Sequence, residues 1–233
     1  MSPTSRVVAT AAAVGLVAII GIAIASGSNV GQNDASATPT PSDSPAASPD
    51  EAGALPSAGT ALPPGTYTTA FDPAFRVTIP EGWRVGGNTA EEFGLVVAAI
   101  DSVGFFICHD SRAVDPTNNE LPGVGSDAQS VVTALAERAD LRDMSEPQAV
   151  DIGGLSGYYV DFLGPKPSDD IPPAPAAIGG GCGIDAYPSQ LSRIGVFDGP
   201  DGNIAIIITS IQGDPNIIEA ATAIVESIEF DVP

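Results

Sequence analysis

The sequence predicts an α+β domain, a central, largely antiparallel sheet flanked by helices, preceded by an apolar span and a polar linker. Three observations carry this. Strand-like segments come in pairs joined by short turns, two of them glycine-bearing, which suit antiparallel hairpins rather than parallel crossovers. Two segments open with helix-start signals and continue in apolar stripes of helical period. The elements run strands, helix, strands, helix without an internal repeat, an order suited to helices packed on the faces of one sheet.

The first sixty or so residues are not globular in character. Residues 1–6 form a short cytoplasmic start with one cation, Arg6. Val7 to Ala25, VVATAAAVGLVAIIGIAIA, carries no charge and is long enough to cross a bilayer at about 1.5 Å per residue. No Lys or Arg follows Arg6 until Arg76, so the positive-inside bias leaves the N-terminus in the cytoplasm and sends the remainder out. Residues 7–26 are expected to be a signal-anchor, one transmembrane helix in the plasma membrane. Ala23-Ile24-Ala25 before Ser26 also fits a small-x-small cleavage site, and the alternative is a secreted chain. Residues 27–61 are rich in Ser, Ala, Thr and Pro and bury too little apolar surface to offset their ordering entropy. A disordered linker is expected there, leaving 62–233 as one extracytoplasmic domain.

Within that domain Phe75, Val77 and Ile79 alternate with polar residues as in a half-buried strand, which Pro80-Glu81-Gly82 ends before Trp83. Phe93 to Ile100 and Val103 to His109 read as two strands around an Asp101-Ser102 turn. Ser126 and Gln129 have capping-box spacing, and Val132, Leu135, Ala136 and Ala139 form an apolar stripe, with Glu137, Arg138 and Asp140 on the polar face. Ala149 to Ile152 and Leu155 to Leu163 flank a Gly153-Gly154 turn; Arg193 to Phe197 and Ile204 to Ile211 flank DGPDGN. Asp214 and Pro215 mark a second helix start, with Ile217, Ala221, Ile224 and Ile228 as its stripe. Ile228 and Phe230 can instead close the sheet as a short strand.

Charge excludes some partners. Asp and Glu number 29 against 8 Lys and Arg, for a formal net charge of −21. The acids are dispersed and the cations scarce, which argues against nucleic acid and against docking on anionic lipid headgroups. Contact with the membrane is expected through the N-terminal helix alone.

GFFICHD, Gly104 to Asp110, concentrates the reactive letters, including the chain's single histidine. On a strand, Phe105, Ile107 and His109 face one way and Phe106, Cys108 and Asp110 the other. Cys108 and His109 therefore point apart, which rules out a nucleophile–base pair. Cys108 and Cys182 are the two cysteines of an exported chain, so a disulfide between them is expected, clipping the Pro/Gly-rich stretch Gly164 to Gly183 to the sheet; the alternative is two buried thiols. The glycine run 179–183 follows a proline-rich loop and lacks the strand–glycine–helix context of a phosphate cradle. Asp198, Asp201 and Asn203 miss the spacing of a calcium loop, and one histidine with two bonded cysteines cannot build a zinc site. No catalytic residue, cofactor or metal is expected.

The segments LPPGTYTTAFDPAFRVTIPEGW, DIGGLSGYYVDF, FDGPDGNIAIIIT and IVESIEF together resemble bacterial membrane-anchored or secreted domains of the PsbP/Mog-like α/β/α sandwich type. The resemblance covers Leu62 to Phe230 and rests on turn-and-strand phrasing. It implies a central antiparallel sheet between helical layers. Members of that fold class serve as extrinsic photosystem subunits or bind a small GTPase, and no functional residue of either matches this chain. Fold likeness alone does not assign function. The expectation is a non-enzymatic surface domain that binds a protein, peptide or small ligand. Its contact surface is placed at Trp83, Tyr158, Lys166 and Tyr187 around the proline-rich loop. The alternatives are an extracytoplasmic hydrolase and a structural envelope component.

Overall fold

The alternation along Phe75–Ile79 is realised as a strand whose odd residues are buried and even residues exposed. The computed structural model describes residues 52–98, 103–166, 175–181, 183–210 and 213–231, all within one unit spanning Ala46–Pro233. The expected apolar span, most of the linker and Cys182 lie outside them. In chain order the elements are β1 (Gly53–Ala54), β2 (Gly65–Thr68), β3 (Phe75–Ile79), β4 (Trp83–Asn88), β5 (Glu92–Val97) and β6 (Val103–His109). Then come α1 (Ala128–Ala136), β7 (Gln148–Ile152), β8 (Leu155–Leu163), β9 (Ala176–Ile178), β10 (Ile184–Asp185), β11 (Leu191–Gly199), β12 (Gly202–Ser210), α2 (Pro215–Glu226) and β13 (Glu229–Phe230).

Seven strands form the main sheet in the order β4-β5-β6-β12-β11-β8-β7, with every neighbouring pair antiparallel. Its two faces bury different clusters. Phe105, Ile107, Phe197, Ile204, Ile206 and Ile208 pack beneath α2 and a second sheet, β1-β2-β3-β13. Phe106, Cys108, Val160, Phe162, Ile194, Val196 and Ile207 pack beneath α1, β9 and β10. Helices thus lie on both faces, as expected, but each outer layer is part helix and part strand. Phe75–Ile79 and the closing strand Glu229–Phe230 pair with each other in the small sheet, not in the central one.

One hairpin turns as read and the other is tighter than the sequence suggests. Ile152 pairs with Leu155 across Gly153 and Gly154, whose φ values of 59° and 89° give the turn its twist. Gly199 pairs with Gly202, so DGPDGN is mostly strand and the turn is Pro200-Asp201. Folded structure also begins before Leu62. Gly59 N–H donates to the Val85 carbonyl at 2.7 Å and Leu62 N–H to that of Trp83 at 2.8 Å. These are backbone bonds, which a composition rich in Ala, Ser and Gly does not forbid.

Both helices depart from expectation at their ends. Asp214 caps α2 and Pro215 follows, as read, but Ile218 rather than Ile217 faces the core. At α1 the cap is Asp127, not Ser126: its carboxylate accepts from Ser130 N–H and from the Ser130 hydroxyl. A second carboxylate, Asp198 from the β11–β12 hairpin, accepts from Ala128 N–H at 2.8 Å, satisfying another donor of the first turn. The helix stops at Ala136, so Arg138 and Ala139 leave the helical register; Arg138 is buried and Ala139 exposed.

Two aspartates in this region are stabilised as anions. The Asn119 backbone N–H, with the Thr117 hydroxyl and the Asn119 amide, holds the Asp115 carboxyl well below the usual carboxylate range. The Ser130 hydroxyl, then its N–H, lowers that of Asp127. Groups with lowered folded pKa contribute fully above the ordinary value of about 4 and lose that contribution as pH falls toward the folded value. In an acid titration followed by NMR, both carboxyl carbons will titrate below the ordinary range, and the Asn119 and Ser130 amide shifts will move with them. Midpoints near 4 would show that these hydrogen bonds do not persist in solution.

Candidate functional site

α2 lies over β12 and β11 and leaves the β8–β7 end of the same face partly open. A groove results, made of two adjoining clefts of about 250 and 600 Å³ that share Arg193, Thr222 and Glu226. Sheet periodicity builds its floor. Gln148, Val150 and Ile152 of β7 stand opposite Tyr159, Gly157 and Leu155 of β8, and Gly195 of β11 stands opposite Tyr159. Gly195 has no side chain, which lets the Phe197 ring lie where its Cβ would be, and Phe197, Ile206 and Ile208 line the floor.

Arg193 divides the groove. It stands directly across from Asp161, and their ion pair is bidentate: Nε to Oδ1 at 2.7 Å and Nη2 to Oδ2 at 2.8 Å. Nη1 donates to Thr222 Oγ1 at 3.1 Å, and the guanidinium lies 4.6 Å from the centre of the Tyr159 ring. The hydrogen-bonded Asp161 carboxylate raises the pKa of Arg193 further. Tyr159 Oη donates to Gln148 Oε1 at 2.8 Å. The polar groups are therefore spent on one another, and the rim adds Glu219 and Glu226. Such a groove supplies shape, apolar surface and an acidic rim, the ingredients of binding.

The sequence-predicted surface is not assembled. Trp83 is 4% exposed and packed in the core cluster that also holds residues of α2 and the small sheet, so its ring is withdrawn from any contact surface. It lies on β4 and Tyr158 lies on β8, near opposite edges of the main sheet. Tyr158 is half-buried against the α1 face, away from the groove. Tyr187 packs its backbone on Gly164, two residues before Lys166, and Gly164 N–H donates to the Gln190 carbonyl. Tyr187 is 48% exposed, the one large apolar side chain so exposed among the described residues.

GFFICHD behaves as its alternation requires. Phe105 and Ile107 join one core, Phe106 and Cys108 the other, and His109 stacks on Phe71 at 4.4 Å with the rings nearly parallel. Asp110 leaves the strand at φ 50°. Cys108 carries no free thiol. The calcium reading of the hairpin is answered by use: Asp198 caps α1, and the buried Asn203 holds Ser111 and Ser126. Among the described residues no cluster of three His, Cys, Asp or Glu could hold a metal, and no helix is long and apolar enough to cross a membrane.

The groove was missed in the sequence because it depends on β8 lying beside β11. A partial signal exists: with so few cations, an arginine on one strand and an aspartate on another invite a cross-strand pair.

No protein-family model matches the sequence, and no curated relative does. Among solved structures the chain is similar to the cyanobacterial PsbP (CyanoP) of Synechocystis sp. PCC 6803. Identity is 11%, over 76% of this chain and 98% of that one, with a TM-score of 0.39. It is also similar to a protein of Bacteroides thetaiotaomicron VPI-5482, at 14% identity and a TM-score of 0.36. That match covers 68% of this chain and 45% of the length of the Bacteroides protein. At these scores neither likeness carries function, and the layering described above rests on this chain's own contacts.

Proposed function

We propose that the chain is a single-pass plasma-membrane protein whose outer domain is a non-enzymatic binding module, with the α2 groove as its contact site. The groove itself supports the site: an open apolar floor beside a part-buried, internally satisfied Arg193–Asp161 pair. The uncharged run Val7 to Ala25 after Arg6 supports the membrane placement. In intact cells a photo-crosslinking side chain at Ala223, on the groove rim, will capture a partner that one at Tyr187 does not. The reverse pattern moves the site to the loop. Recovery of the 7–25 peptide from the membrane fraction is expected, and a mature N-terminus at Ser26 would establish secretion instead.

The same reading bonds Cys108 to Cys182. Gly180 and Gly181 lie against the backbone of Asp110 and His109, which carries the chain toward Cys108. Under denaturing, non-reducing conditions iodoacetamide will label no cysteine, and after reduction it will label two. Two labelled thiols before reduction would remove the bond and the argument from an oxidising compartment.

A further inference from the structure

We infer that β7 is a docking edge for an extended, cationic peptide segment whose alternate side chains enter the neighbouring cleft. This rests on the groove being the contact site and adds the mode and chemistry of its partner.

The two edges of the main sheet are treated differently. The outer edge of β4 is covered by the chain itself: Gly59 N–H donates to Val85 O, Val85 N–H to Thr60 O, and Leu62 N–H to Trp83 O. Among the described residues β7, at the other edge, pairs with β8 alone. Hairpin parity fixes which groups are left. Across a two-residue turn Ile152 and Leu155 exchange both bonds, and so do Val150 and Gly157 two residues on. The N–H and C=O groups of Ala149 and Asp151 therefore point away from β8, and both residues are exposed. Outward donors and acceptors of this kind are a template for an added strand.

The cleft gives such a strand its side-chain pocket. Val150 and Ile152 share a face with Tyr159 and line the cleft, so alternate residues of an added strand stand beside them. Charge selects the occupant. Asp161, Glu219 and Glu226 outnumber Arg193 along the groove, and Asp151 sits on the edge itself. A second copy of a chain with net charge −21 is repelled. The chain's own stretch 26–51 carries Asp34, Asp43, Asp50 and Glu51 and no cation, and is repelled too.

The test uses the full chain in detergent and fluorescein-labelled six-residue peptides read by polarisation. A peptide alternating valine and lysine is expected to bind at least about tenfold more tightly than one alternating valine and glutamate, and salt will weaken it. Methylating its alternate backbone nitrogens, or making Ala149→Pro in the protein, will weaken it by about tenfold through lost strand bonds. Glu226→Gln will narrow the preference for lysine. Equal binding of parent and methylated peptides overturns strand addition even if Ala149→Pro does not fold. Equal binding of the lysine and glutamate peptides overturns the charge assignment. If neither peptide binds while Ala223 still crosslinks a partner in cells, the docking mode fails and the groove stands. If the lysine peptide binds as stated and Ala223 captures nothing, the docking edge stands and the wider groove reading fails.

Discussion

Replacing Arg138 with methionine will lower the unfolding free energy by about 3–5 kcal/mol, the range for breaking a buried ion pair from one side. The Arg138 side chain is 6% exposed and that of Asp140 11%, and the pair is bidentate at 2.7 Å through Nε and Nη2. Nη1 also donates to the carbonyls of Val114 at 2.9 Å and Ala176 at 2.8 Å. One guanidinium thus ties together three pieces of chain: the loop after β6, the segment leaving α1, and β9. Methionine keeps the apolar stem but leaves a carboxylate and two carbonyls without their donor. Lysine will be little better, because a single ammonium cannot serve a bidentate carboxylate and two carbonyls on separate segments. Adding Asp140→Leu to Arg138→Met should recover part of the loss, since the stranded charge is gone. Urea unfolding measures all three. A loss below about 1 kcal/mol for Arg138→Met would mean that water replaces the guanidinium and that this interior is wetter than its packing implies.

Arg138 also marks where the sequence stops being legible. The apolar stripe from Val132 and the nearby capping residues announce α1, but its end depends on whether Arg138 gains more from an exposed helical face or from buried carbonyls brought by distant segments. Local pattern cannot weigh that choice. Ser126 and Asp127 are adjacent and chemically suited to the same cap. The decision follows from Asn203, which takes the Ser126 carbonyl, and from Asp198, which meets Ala128 N–H. By contrast Asp214-Pro215, the Gly153-Gly154 turn and the alternation through Phe105 to His109 need only their own neighbours, and each is realised as read. Trp83 fails as a surface residue for the opposite reason: the short stretch around it does not show how fully distant core residues close over the ring. The groove required strand order, which no short stretch encodes.

Asn203→Ala should cost about 2–4 kcal/mol, close to the Arg138 effect though no formal charge is involved. Asn203 is 4% exposed. Its Oδ1 accepts from Ser111 N–H at 2.8 Å, while Nδ2 donates to Ser111 O at 2.9 Å and Ser126 O at 2.6 Å. All three partners lie in loops with few alternatives in the interior, and each unsatisfied buried group costs about 1–3 kcal/mol. The amide is the one side chain of this size with both an acceptor and two donors, which is what a backbone donor and two carbonyls demand. Asn203→Asp separates this account from simple packing. It preserves shape and the acceptor, removes both donors and sets a carboxylate against two carbonyl oxygens, so it should be at least as damaging as alanine at neutral pH. Acidification should then narrow the gap between Asn203→Asp and wild type, because protonation restores one donor. An Asn203→Asp protein as stable as wild type at pH 7 would mean that the hairpin tip is held by the Asp198 cap alone. That cap is worth about 1 kcal/mol, and Asp198→Ala measures it independently.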